Sequence, residues 1–295
     1  MDPHLLRTFT AIARLGSFSA AAGELGYTQS AVSQHIAALE ADLGTELLSR
    51  RPVAPTEAGA RLLDHAGPLL TRLAAARADV VRVAGAPAAA LALGVCGIAF
   101  GPRAADALAT LRAALPRAEV TLRALDRAEL TAAVAAGDLD AGLVGGVAAP
   151  TDPLHLPQDA GLTVTGCGEE PLCVLLPAGH PLSGRAGLRL GDLADALWLD
   201  APACAAPLAD LRAATGGGFP AALRYDGPDV RTLLALVAAG HGLAALPRSA
   251  APGDLAAGTA AVPVTEPRLA HRVELVHRPD PRGAVALFAE AMGTG

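Results

Sequence analysis

At 295 residues the chain exceeds one ordinary core and suggests about two domains of roughly 100 to 200 residues each. Hydrophobic residues make up 52% of it but aromatics only 3%, so its cores must be aliphatic and built on close backbone approach. A net charge of −6 excludes a protein that coats nucleic acid non-specifically, because that mode needs a broad basic surface.

All 23 basic residues are arginine. They read either as phosphate-recognising guanidinium groups or as a bias toward GC-rich codons, which also accounts for the alanine excess. Four cysteines, at 96, 167, 173 and 204, form no C-x-x-C pair, and no histidines cluster at zinc spacing, so no metal and no cofactor is expected. Cys204 stands apart because Ala203-Cys204-Ala205-Ala206-Pro207 reads as the opening of a helix, where the macrodipole lowers a thiol pKa. A thiol-based redox sensor is therefore one alternative function. Met1-Asp2-Pro3-His4 lacks the basic and apolar segments of a secretory signal, which points to the cytoplasm.

Leu5, Leu6, Phe9, Ile12 and Ala13 follow helical spacing, predicting a first helix that ends near Gly16. Ser17 to Gly26 reads as a second, short helix. Its Ala22 permits close helix approach, and Gly26 supplies a positive φ at its end. Thr28 is a good N-cap for a third helix, in which Val32, Ile36, Leu39 and Leu43 form one inward stripe. Gln29, Ser30, Ser33 and Gln34 then occupy its exposed first turns. Two helices about a tight glycine turn make a helix-turn-helix, and glutamine and serine suit base edges in a major groove; the bland alternative is a solvated helix face.

After Gly44 come Arg50, Arg51, Pro52, Val53 and Pro55, which suggest a short hairpin or wing, with Thr56 and Glu57 capping the next helix. The two arginines suit phosphate or an A·T-rich minor groove, or equally surface ion pairs. From Glu57 to about Ala84, the positions Leu62, Ala66, Leu69, Leu73, Ala76, Val80 and Val83 keep a heptad's four-three spacing, and Pro68 is expected to kink the helix or limit its first turn. Such a seam calls for a second copy of the chain, as a two-fold reader of DNA half-sites requires, unless the helix folds back on its own core. The charge-free run Val83 to Pro102 contains Gly85, Pro87, Gly94 and Gly97, so it reads as a linker and buried strand, not a membrane span.

Beyond Pro87 the pattern alternates. Strands are expected at 91–96, 120–125 and 139–144, the last followed by Gly145-Gly146, with helices at 103–114 and 128–136 between them. That βαβαβ order implies parallel sheet. A second block has strands at 170–176, 197–200 and 243–246 with helices at 206–214 and 229–239, and a strand at 272–277 and a helix at 284–292 close the chain. Two α/β lobes result, and the crevice between them is a natural ligand site.

Leu6-x-x-Phe9-x-x-Ile12-Ala13, Gly16-Ser17-Phe18-Ser19-x-Ala21-Ala22, Leu25, Thr28-Gln29-Ser30-Ala31-Val32-Ser33, Ile36, Leu39-Glu40, Leu43-Gly44 and Thr56-x-Ala58-Gly59 closely resemble the winged helix-turn-helix pattern of LysR-type transcriptional regulators. Asp138-Leu139-Asp140, His180-Pro181-Leu182 and Val237-Ala238-Ala239-Gly240-His241-Gly242 extend a looser match in the right order, so the resemblance covers essentially the full chain.

The resemblance implies an α+β multidomain fold: a winged helix-turn-helix (1–58), a linker and dimerisation helix (59–88) and a two-lobed, periplasmic-binding-protein-like effector domain (89–295). Lobe 1 would comprise about 89–162 and 268–295, and lobe 2 about 163–267. Implied partners are double-stranded promoter DNA, a second copy as homodimer or homotetramer, RNA polymerase and a small-molecule effector that modulates DNA binding. Thr28, Gln29, Ser30, Ser33 and Gln34 would face the groove, with Arg50, Arg51, Pro55 and Thr56 in the wing. Leu62, Ala66, Leu69, Leu73, Ala76 and Val80 would form the dimer seam. Gly97, Ile98, Ala99, Gly145, Gly146, Ala201, Pro202, Ala203, Cys204, His241 and Gly242 would line the effector crevice. Crevice positions that often carry serine or threonine in that family are glycine, alanine or cysteine here, which suggests an apolar effector or none. The wing is shorter than usual, and Leu48 replaces an aromatic.

No catalytic residues are expected. G-x-S-x-G, a Walker A loop and H-E-x-x-H are all missing, and Gly94-x-x-Gly97 is too weak for a dinucleotide fingerprint, which leaves an enzyme or a solute-binding protein on the α/β half as remote rivals.

Overall fold

The computed structural model describes residues 1–85, 90–150, 152–154, 156, 161–250 and 258–293, with 78, 79 and 81–85 described by backbone alone. The chain forms two compact units, Met1–Val81 and Arg82–Gly295.

The first unit opens with α1 (Pro3–Leu15), whose N-cap Asp2 accepts a hydrogen bond from the His4 amide and which ends at a left-handed Gly16. Helix α2 (Phe18–Leu25) is capped by Ser17, buries Ala21 and Ala22, and stops at Gly26 with φ +69°, a conformation a side chain resists. After Tyr27 and the N-cap Thr28, α3 (Gln29–Leu43) begins. Its inward positions Val32, Ile36 and Leu39 pack with Phe9 and Ile12 into the unit's core. Leu43 departs from the expected stripe: it is 41% exposed, at the last turn before Gly44.

Strands β1 (Leu48–Arg50) and β2 (Val53–Pro55) pair antiparallel, Leu48 opposite Pro55, so the expected wing is a tight hairpin. It is tied to α3 by Glu40, whose Oε1 accepts from the Leu47 and Leu48 amides at 2.8 and 3.3 Å. Thr56 donates its hydroxyl to Glu46 O at 2.8 Å and accepts from the Gly59 amide at 3.1 Å, so it caps the next helix as expected.

Helix α4 (Glu57–Gly85) runs through Pro68 as one element. Its heptad seam divides in a way the spacing alone did not indicate. Ala66 is fully buried and Leu62 half-buried in the first unit's own core, whereas Leu69, Leu73 and Val80 are 46%, 43% and 69% exposed and Ala76 is exposed too. The side chain of Val83 lies outside the described residues.

The second unit contains β3 (Ala90–Val95), α5 (Pro102–Ala114), β4 (Glu119–Ala124), α6 (Arg127–Ala136) and β5 (Ala141–Ala148). Strand β3 pairs parallel with both β4 and β5, as the βαβαβ order requires. There follow β6 (Thr163–Pro177), β7 (Leu188–Arg189), β8 (Trp198–Asp200), α7 (Leu208–Thr215), β9 (Ala221–Arg224), α8 (Val230–Ala238), β10 (Ala244–Pro247), β11 (Thr259–Glu266), β12 (Ala270–His277) and α9 (Ala284–Gly293). The main sheet is mixed and eight-stranded, in the order β4-β3-β5-β12-β6-β11-β7, with β10 also on β6.

Two expectations change here. Strand β5 continues through Gly145 and Gly146, because residues 141–148 pair without a break with β12. Strand β6 starts at Thr163 instead of 170 and serves both lobes: residues 163–171 pair with β12, and 172–177 with β10 and β11. The expected lobe boundary at 163 therefore falls at the start of a strand whose first half belongs to the first lobe's sheet. In its second half Leu172, Val174 and Leu176 face one core and Leu175 the other, as a period of two dictates. Of the charge-free run at 83–102, residues 83–85 end α4, 90–95 form β3 and 96–101 lead to α5, with 86–89 outside the described residues; among the described residues no helix is long and apolar enough to cross a membrane.

Candidate functional site

The first candidate surface is the N-terminal end of α3. Thr28 Oγ1 accepts from the Ala31 amide at 3.2 Å and lies 2.9 Å from the Ser30 hydroxyl, which fixes the cap. Gln29, Ser30 and Gln34 are exposed and Ser33 half-exposed on the side opposite Val32 and Ile36. Neither glutamine amide makes a hydrogen bond among the described residues, so both are free to meet an outside partner. Behind this face, His35 Nδ1 lies 3.0 Å from Thr8 Oγ1 and its ring meets Tyr27 edge-on at 5.1 Å, joining α3 to α1 and to the turn. Arg50 and Arg51 stand exposed at the hairpin's tip and form no ion pair among the described residues. Pro55 and Thr56 lie at the hairpin's base and are half-buried.

The second candidate is a cavity of about 1040 Å³ in the second unit, between its two α/β lobes. Of the residues named for the effector crevice, Gly97, Ile98, Gly145, Gly146, Pro202 and Ala203 line it. Five other expected residues do not. Ala99 is buried in the core beneath β3 and β5, and Ala201 and Cys204 are buried with Leu199, Leu233 and Val237, because the turn after β8 directs them inward. Gly242 lies against the backbone of Trp198 and Leu197, and His241 is an exposed residue just past α8.

In their place the fold brings up charged and polar groups that sequence spacing did not mark. Arg127 opens α6, donates through Nη2 to Gly145 O at 3.0 Å, and lies 3.6 Å from Asp210 Oδ2 in the first turn of α7. Asp210 Oδ2 also accepts from the Val147 amide at 3.3 Å, so this pair joins the two lobes across the end of β5. Arg224 is held by Asp200 and Asp226 at 2.7 and 2.9 Å. His271 on β12 also faces the cavity. It is 3% exposed, has no hydrogen-bond partner among the described residues, and its imidazole pKa is pushed down to about 4 by burial, against opposing fields from Glu170 and Asp210.

All four cysteines are free thiols. Cys204 lies in the turn before α7, not at its first residue, and its pKa is pushed up to about 11 by burial, with Asp229 adding to the rise. This reverses the expected lowering. Burial likewise raises Cys96, Cys167 and Cys173. Among the described residues no group of His, Cys, Asp and Glu could hold a metal ion.

Known proteins share both units. Residues 3–60 match the bacterial regulatory helix-turn-helix protein, lysR family, and residues 84–294 match the LysR substrate binding domain. A probable hydrogen peroxide-inducible genes activator of Mycobacterium avium is 34% identical over 288 residues, 92% of this chain and 86% of that protein. Full-length CbnR, solved with its target DNA, matches with a TM-score of 0.54 at 25% identity over 99% of this chain and 98% of the other. Full-length BenM matches in fold with a TM-score of 0.56 at 24% identity over 99% and 95% of the two chains. A helix-turn-helix whose third helix turns free amides outward, joined in one chain to an α/β substrate-binding domain, places this protein in the LysR family of transcriptional regulators.

Proposed function

We propose that the chain binds promoter DNA as a homodimer, reading base edges with Gln29, Ser30, Ser33 and Gln34, and that a small molecule in the crevice of the second unit alters that binding. The observation that carries this reading is the polar row on α3. Its amides are exposed and make no hydrogen bond among the described residues, and the opposite face is locked into the core by Val32 and Ile36. CbnR, similar in fold over nearly its whole length, has been solved on its target DNA.

Arg50 and Arg51 would add phosphate contacts from the wing, since local cations are what a chain of net charge −6 must rely on. The exposed leucines of α4 would meet a second copy, as two-fold reading of half-sites requires. RNA polymerase would be the further partner of a promoter-bound regulator, and the cytoplasm its site of action. A thiol-sensing version has a specific motive, the peroxide-inducible activator among the relatives. Against it, all four thiols are raised by burial, whereas a sensing thiol needs its thiolate. The ligand reading is therefore preferred.

Footprinting of the purified full-length protein on the region upstream of its own gene tests the proposal. Two protected half-sites about one helical turn or a multiple apart are expected. Uniform, salt-sensitive retardation without protected bases would contradict it.

A further inference from the structure

The wall chemistry of the crevice says what kind of molecule it admits, and this step rests on the crevice being the effector site. Every arginine on the wall already has an anion. Arg127 is held by Gly145 O and Asp210, and Arg224 lies between Asp200 and Asp226. Helix N-termini are the other common source of positive potential, and here each one carries a carboxylate of the protein itself. At α5, capped by Gly101 without a side-chain bond, Glu170 Oε1 lies 3.9 Å from the position of a Cβ on Gly101. At α6, Asp126 accepts from the Glu129 amide at 2.8 Å and Glu129 reaches back to the Asp126 amide. At α7, Asp210 stands in the first turn. The Ser249 hydroxyl is likewise taken, donating to Glu170 at 3.0 Å. An entering carboxylate or phosphate would lose its hydration and meet four wall carboxylates, Asp126, Glu129, Asp210 and Asp226, with no unpaired arginine among the described residues of the wall.

The imidazole of His271 on the wall has no hydrogen-bond partner among the described residues. His271 is almost wholly enclosed, yet it reaches the cavity, and β5 makes room for it with a glycine: a Cβ on Gly145 would stand 2.7 Å from His271 Nε2. Its imidazole is neutral at ordinary pH, so one ring nitrogen accepts and the other donates. Elsewhere the lining includes the apolar side chains of Ile98, Phe100, Leu125 and Val230.

We infer that the crevice takes a largely apolar organic molecule that bears a hydrogen-bonding group and no anionic group, and that His271 is the residue which recognises that group. Acids of the same shape are rejected by the carboxylates that already occupy the helix ends and arginines.

Matched naphthalene probes test this on the full-length protein by titration calorimetry: naphthaleneethanol, naphthaleneethylamine, ethylnaphthalene and naphthaleneacetate. The alcohol or the amine should bind most tightly, with the acetate at least about tenfold weaker. His271→Phe should remove the advantage of the alcohol over ethylnaphthalene while circular dichroism stays native. Should that variant fail to fold, the ranking on the unaltered protein still decides. Acetate binding as tight as the alcohol, or no binding by any probe, overturns the inference. An imidazole shift of His271 on adding the alcohol locates the probe in the crevice. Tight binding without that shift instead refutes the crevice as the site, so the two failures are distinct.

Discussion

Gly145 and His271 face each other across adjacent strands so closely that a methyl group on the glycine would stand 2.7 Å from the imidazole Nε2 and 3.1 Å from Cε1. Strand β5 has no side chain there because β12 has one. The pair sets the floor of the crevice, and its consequences are measurable.

Gly145→Ala would force the ring to move, since the backbone of β5 is held there by its pairing with β12 and by the Arg127 bond to Gly145 O. A destabilisation of about 1 to 3 kcal/mol is expected from overpacking of this kind. With it should go the His271 response to naphthaleneethanol. Chemical unfolding and the imidazole spectrum check the two effects separately; an unchanged ring environment would contradict the contact.

Burial of His271 also makes the second unit sensitive to acid. Its pKa is about 4 in the fold against an ordinary 6.5, so below pH 6.5 the unfolded chain binds a proton that the folded one does not. The associated stability is fully present above pH 6.5, declines as the pH falls, and is lost by about pH 4; at 1.36 kcal/mol per unit this amounts to about 3 kcal/mol. Urea unfolding followed by the single tryptophan, buried Trp198, reads it, and His271→Phe should flatten the slope in that window.

In the first unit, a Cβ on Gly59 would stand 2.0 Å from the carbonyl oxygen of Leu47, a backbone atom that cannot swing away. Gly59→Ala should therefore separate the start of α4 from the hairpin at a cost of about 3 kcal/mol. Limited proteolysis should cut the variant within its first sixty residues while the second unit stays resistant. Unaltered resistance would show that the contact can relax.

Leu69 and Leu73 lie on α4 with more than 40% of each exposed. Replacing both with glutamate should reduce the sedimenting mass to that of one chain, about 29.4 kDa, without loss of helix content. A retained dimer would place the contact between copies elsewhere.

What the sequence revealed was local. Thr28, Gly26 and the stripe of Val32 and Ile36 declare themselves because a cap, a positive φ and a helical period depend on neighbours within a few residues. The seam of α4 was visible as a spacing, but nothing in the spacing told that Ala66 turns to its own core while Leu69 does not. His271 was invisible. A lone histidine in an alternating strand carries no signal, and the glycine that accommodates it lies on another strand, 126 positions earlier in the chain. The same holds for the Arg127–Asp210 pair, which only the folding of α6 and α7 against β5 brings together.

Affinity of the Gln29→Ala variant for the protected upstream fragment, measured beside the unaltered protein at one salt concentration, tests the central claim most directly. Loss of about 1 to 3 kcal/mol of specific binding, with unspecific binding and folding unchanged, is the result predicted for an amide that reads a base. Equal affinities for that fragment would contradict the placement of α3 against the bases.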